Sequence, residues 1–144
     1  MATGPIVYLT RIEQFSAAHR LHNPHLSISE NQKLFGKCNS PNGHGHNYKL
    51  EVTIRQPVDK STGLCYNLDS LKAAIKDNVM ALLDHRHIDL DVSYFRDQGI
   101  VSTTENLAVF IWYQLQSKLG NGILYKVVLH ETDKNKFVYK GELV

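Results

Sequence analysis

Cysteine is scarce, with only Cys38 and Cys65 in 144 residues. One pair cannot staple a small fold, so a disulfide scaffold is excluded. No apolar stretch approaches the length of a membrane span, and no membrane partner is expected. Charge of one sign is not in excess either. The net value is +2 with acids and bases interspersed, so the basic face of a nucleic-acid binder is missing. The first residues, Met1 to Tyr8, lack a charged segment followed by an apolar run. Together with the few cysteines this leads to the expectation of a cytoplasmic protein with reduced thiols. Repeats, low-complexity tracts and linkers are absent too, and the length suits one domain over residues 1–144.

What the chain does have is histidine, eight in all. Their setting follows from hydrophobic patterning. Ile6 to about Ala17 reads as a strand, with Val7, Leu9 and Phe15 on one parity. His22 to Gly43 is polar and irregular, long for a structureless connection and hence a functional one. Tyr48, Leu50, Val52 and Ile54 alternate with Lys49, Glu51, Thr53 and Arg55, the period of a half-buried strand. After a turn at Pro57 to Gly63, Leu64 to Asn67 reads as a short returning strand. Leu68, Leu71, Ile75, Val79, Leu82 and Leu83 then fall at helical spacing. Ser102-Thr-Thr-Glu105 has the form of a capping box opening a second helix, which Gly120-Asn-Gly122 ends. Strands over Ile123 to Thr132 and Phe137 to Lys140 complete a ββααββ order. Such an order predicts an α+β fold, an antiparallel sheet with two helices on one face. Its uncovered edges invite assembly with other chains.

His44 and His46 are two apart, so in a strand both face the same side, and their parity continues into Tyr48 and Leu50. Two convergent imidazoles at the mouth of a core suit zinc. His19 ends the first strand and lies beside them if the two strands pair. Three histidines with an open position are the pattern of a catalytic zinc. Cys38, on the preceding loop, has two readings at this point. It is either a reactive thiolate near a cation or the fourth ligand of a closed structural site. Cys65, within the expected short strand, reads as a packed thiol. Glu131 lies on the apolar parity of its strand, where a carboxylate needs a partner. His22, His25, His87 and His130 read as surface or structural.

Five segments in order carry a resemblance over nearly the whole chain. They are Phe15-Ser-Ala-Ala-His-Arg-Leu21, Phe35-Gly-Lys-Cys-Asn-Ser-Pro-Asn-Gly-His-Gly-His-Asn-Tyr48, Leu83-Asp-His-Arg86, Ser102-Thr-Thr-Glu-Asn106 and His130-Glu-Thr-Asp133. With them the chain closely resembles the eukaryotic 6-pyruvoyl-tetrahydropterin synthase family. The resemblance implies the tunnelling fold, a barrel closed by three chains and stacked as a homohexamer. It implies a lyase of tetrahydrobiopterin biosynthesis that converts 7,8-dihydroneopterin triphosphate to 6-pyruvoyl-tetrahydropterin and triphosphate. Carried onto this sequence, it makes His19, His44 and His46 the zinc ligands and Cys38 the proton-abstracting base. Asp84 and His85 become the proton relay and Glu131 the pterin anchor, with Thr103 and Glu105 near the pterin. Zn²⁺ is the implied cofactor, and Mg²⁺ could accompany the triphosphate.

One departure stands beside the match. The stretch between Asp84 and Ser102, including Arg96 to Gly99, is slightly longer than vertebrate members suggest. It touches no motif and reads as a loop difference. Two other functions remain to be separated. The sister 6-carboxy-tetrahydropterin synthase resembles a tighter loop than the five residues between Cys38 and His44 here. A non-catalytic zinc module has no need of Glu131 or of Asp84 and His85.

Overall fold

Tyr48, Leu50, Val52 and Ile54 are all 0% exposed in the computed structural model, which describes residues 3–144, while Thr53 on the other parity is buried too, at 2%. They belong to β2 (His44–Pro57), which pairs antiparallel along its whole length with β1 (Ile6–His19). Each such buried aliphatic or aromatic side chain contributes about 1.5–3 kcal/mol. Between the two strands lie α1 (Ile28–Phe35) and a 3₁₀ turn (Gly36–Asn39). After β2 come α2 (Leu68–Ile75), a π turn (Lys76–Met80), α3 (Ala81–Leu83) and β3 (Arg86–His87). Two one-turn helices, α4 (Ile88–Asp91) and α5 (Ser93–Arg96), lead to α6 (Thr104–Leu119), β4 (Leu124–His130) and β5 (Lys136–Tyr139). The sheet order is β3-β1-β2-β4-β5. Leu71, Ile75 and Val79 from the first helical stretch, and Leu107, Ile111 and Leu115 from α6, close the core over one sheet face. On the other face Tyr8, Ile12 and Val138 are exposed.

Several expectations are corrected. The sheet is mixed, because β3 runs parallel to β1 at Ala17 and Ala18. Leu64 to Asn67 forms no strand, and Cys65 is half-buried in an irregular segment. The chain there closes a turn, with the Asp59 amide donating to the Leu64 carbonyl, and Asn67 caps α2. The His22–Gly43 connection is not structureless: Ser27 and Glu30 form a reciprocal capping box that starts α1. At α6 the cap is Thr103, whose hydroxyl accepts from the Asn106 amide at 3.2 Å, and not Ser102. Glu105 sits exposed in that helix's first turn, where its charge favours the helix dipole.

Candidate functional site

Strand register builds the centre. His19 and His44 are direct partners across β1 and β2, and His46 follows two residues on, on the same face. Gly43 makes the approach possible. Its φ is +76°, and a Cβ there would stand 2.8 Å from the His19 carbonyl oxygen. The ligand nitrogens of His19, His44 and His46 all lie within 4.8 Å of one another. His19 Nε2 is 3.1 Å from His44 Nε2. Zn–N bonds of about 2.0–2.1 Å at tetrahedral angles set neighbouring nitrogens about 3.3 Å apart, so the spacing suits such an ion.

Hydrogen bonding points the same way. His19 is 1% exposed, and its Nδ1–H donates to the Ser102 carbonyl at 2.7 Å, which leaves Nε2 with its lone pair toward the centre. His46 Nε2 is buried without a partner among the described residues. Burial pushes the His19 imidazole below its ordinary value, against the raising effect of the Ser102 bond, and pushes His44 down with help from His46. A metal ligand has to be a neutral imidazole. The His19–His44–His46 group can therefore hold a metal ion, and Cys38 is not part of it.

Neutral burial has a consequence for the metal-free protein. The unfolded chain takes up protons near 6.5, the folded one only lower, so the unfolded state binds more protons in between. Stability is then full above 6.5 and falls as the pH drops beneath it. The urea midpoint should follow that course, with a shallower fall in His44→Gln. A midpoint level well below that value in the unsubstituted protein would contradict neutral, buried imidazoles.

Around the triad, Glu131 stands just past the end of β4, half-buried, with Oε1 4.0 Å from His46 Nε2. Its Oε2 accepts from the Thr104 hydroxyl. Sequence reasoning missed Thr104, which is 2% exposed. The signal was its helical spacing from Leu107, Ala108 and Ile111, which turns a hydroxyl onto the apolar face of α6. Tyr48 packs edge-on against His19 and His46, and its phenol is raised by burial and by the charges of Glu131 and Asp89.

Cys38 is half-buried, its carbonyl accepting from the Leu21 amide at 3.0 Å, two residues past His19. The neighbouring Asn39 is 3% exposed and fixes this turn. Its Nδ2 donates to the Leu21 carbonyl at 2.6 Å, and its own carbonyl accepts from Arg20 Nε at 2.9 Å. Asp84 and His85 lie elsewhere. Asp84 Oδ1 accepts from the Ser16 amide at 3.0 Å and from His85 Nδ1 at 2.9 Å. The His85 amide donates to the Ser16 carbonyl at 2.6 Å. His85 adopts φ 61° and its side chain is 83% exposed. It shares a hollow with Ser16 and Asn47, whose parity is opposite to that of the triad. His130 binds Glu51 at 2.6 Å and is structural.

The 6-pyruvoyl tetrahydropterin synthase family model matches residues 8–142. The human 6-pyruvoyl tetrahydrobiopterin synthase is 54% identical over 134 residues, 93% of this chain and 91% of that one. The Drosophila melanogaster enzyme of the same name is 50% identical over 142 residues, 98% of this chain and 83% of that one. The solved structure of Caenorhabditis elegans 6-pyruvoyl tetrahydropterin synthase superposes with a TM-score of 0.92 at 47% identity, covering 99% of this chain and 100% of the other. Among the described residues, no helix is long and apolar enough to cross a membrane.

Proposed function

The chain belongs to the 6-pyruvoyl tetrahydropterin synthase family, and from that membership we propose how it works as a lyase of tetrahydrobiopterin biosynthesis. The reaction converts 7,8-dihydroneopterin triphosphate to 6-pyruvoyl-tetrahydropterin with release of triphosphate. The observation that carries the reading is a convergent three-histidine centre with a half-buried carboxylate, Glu131, 4.0 Å from His46.

His19, His44 and His46 would hold zinc, three neutral nitrogen ligands being the donor set of a catalytic site. Zinc, when bound, supplies Lewis acidity toward the side-chain oxygens of the substrate and so acidifies the adjoining C–H bonds. Glu131 anchors the pterin by accepting from its amino and ring N–H groups, a forked pairing on a carboxylate. Thr104 fixes the carboxylate's rotation, and Thr103 and Glu105, on the same helix terminus, flank the ring. The Cys38 thiolate takes the carbon proton. His85, oriented by Asp84, returns a proton at a second position. Triphosphate leaves as an already stable anion.

Glu131→Gln presents an N–H where the pterin also presents one. Substrate affinity should fall on the order of tenfold or more while zinc content is unchanged. Unaltered affinity in this variant, measured by titration, would take Glu131 out of the pocket.

The working form is a ring of three chains, two rings making a homohexamer, with one active site assembled across chains. The uncovered sheet face and the hollow that His85 shares with Ser16 and Asn47, residues of opposite parity to the triad, support this reading. Cys38 and zinc come from one chain, Asp84 and His85 from the next. Co-refolding Cys38→Ala with His85→Ala should restore part of the activity that each lacks, since some interfaces then join two intact halves. Mixed oligomers that form yet stay inactive would place the relay within one chain. For the reaction class, triphosphate release from dihydroneopterin triphosphate should require zinc. Equal release by zinc-stripped protein would contradict the reading.

A further inference from the structure

A cavity of about 290 Å³ lies beyond the strand ends, walled by Arg20, His22, His87, Asp89, Arg96 and Gly99 among others. No role assigned above uses it. It adjoins the metal centre through three chain connections. Arg20 follows His19 directly. His87 Nε2 is 3.2 Å from where a Cβ on Gly43, the residue before His44, would stand. The loop carrying Gly99 continues to Ser102, whose carbonyl orients His19. Sheet order sets its side: His87 is on β3, then His19 on β1, His44 and His46 on β2, and Glu131 past the end of β4. The triad thus stands between the pterin anchor and this cavity.

We infer that the cavity is the subsite for the polyphosphate tail of the substrate, an inference that rests on the reaction proposed above. A molecule with its ring at Glu131 and its hydroxyls at the triad extends its far end toward the β3 side. The volume is near the lower bound of small-ligand sites, roughly 300–1,000 Å³, and suits a tail rather than a whole substrate.

The lining suits an anion. Arg20 spends Nε on the Asn39 carbonyl at 2.9 Å and one Nη on Asn39 Oδ1 at 3.5 Å, which holds the guanidinium in place and leaves its other Nη to donate. Arg96 pairs with Asp97 at 2.9 Å, but both side chains are about half exposed, at 49% and 59%. An exposed ion pair of this kind holds weakly and exchanges readily for a phosphate, which the guanidinium fork matches. His22 and His87 add imidazoles, and His87 Nδ1 is buried without a partner among the described residues. Asp89 is the opposing carboxylate; its Oδ2 already accepts from the Arg20 amide at 2.7 Å. The loop at Arg96 to Gly99 therefore does more than vary the surface: it walls this cavity.

The test uses the zinc-loaded full chain and inorganic triphosphate as probe, followed by calorimetry and by inhibition of turnover. Arg96→Gln should weaken triphosphate binding on the order of tenfold, and Arg96→Glu more. Both should raise KM for the triphosphate substrate and leave zinc content and the affinity for unphosphorylated dihydroneopterin unchanged. If both variants bind triphosphate as the unsubstituted protein does while turnover is normal, the subsite is elsewhere and the reaction stands. If the unsubstituted, zinc-loaded protein neither binds triphosphate nor turns over the substrate, the reaction itself is wrong and the subsite falls with it.

Discussion

His46→Ala should purify with far less than one zinc per chain and lose turnover on the order of 10³-fold or more, the equivalent of about 4 kcal/mol of lost transition-state stabilisation. His46 Nε2 is buried with no partner among the described residues, so its position is supported by packing and by the ion it would bind. Removing it leaves two imidazoles 3.1 Å apart, too few to hold zinc against dilution. The fold should survive. His46 lies near the start of β2, while the buried run from Tyr48 to Ile54 carries the packing. Metal analysis and circular dichroism on the same sample separate the two effects. A variant that keeps its zinc would remove His46 from the ligand set.

Cys38→Ala should behave differently, keeping zinc, fold and oligomer but losing roughly 10²–10⁴ in the chemical step, the usual cost of deleting a general base. The reasoning is geometric. The metal-competent group consists of the three histidines without Cys38, so the sulfur is not needed to complete it. The turn carrying Cys38 is fixed by Asn39 and by the bond from the Leu21 amide to the Cys38 carbonyl, none of which involves the thiol. Substrate should still bind through Glu131, with KM little changed and kcat reduced. Near-normal turnover would end the assignment. Zinc lost as completely as in His46→Ala would instead favour a closed, structural site.

The two variants also show how far the sequence could be read. His44 and His46 were legible because a strand of period two carries its parity outward from a buried run. His19 was legible because strand pairing puts strand ends side by side. Glu131 was legible as a carboxylate on an apolar parity. Thr104 was not, because its neighbours Ser102 and Thr103 are equally good caps. Only packing shows that Thr103 spends its hydroxyl on the helix while Thr104 turns inward to Glu131. The helix within the His22–Gly43 connection was overlooked although Ser27 and Glu30 announce it, since its apolar residues Ile28 and Leu34 stay exposed and give no core periodicity. The short parallel strand at Arg86–His87 depends on long-range pairing with Ala17 and Ala18 and leaves no local pattern. The cavity next to the triad is of the same kind, since its walls come from segments far apart in the chain.

The identity of the pterin product tests the account most directly. Zinc-loaded protein is incubated with 7,8-dihydroneopterin triphosphate, and the product is identified by mass. The account predicts 6-pyruvoyl-tetrahydropterin, formed together with triphosphate. A 6-carboxy-tetrahydropterin product, or no pterin product from protein that carries its zinc, would contradict it.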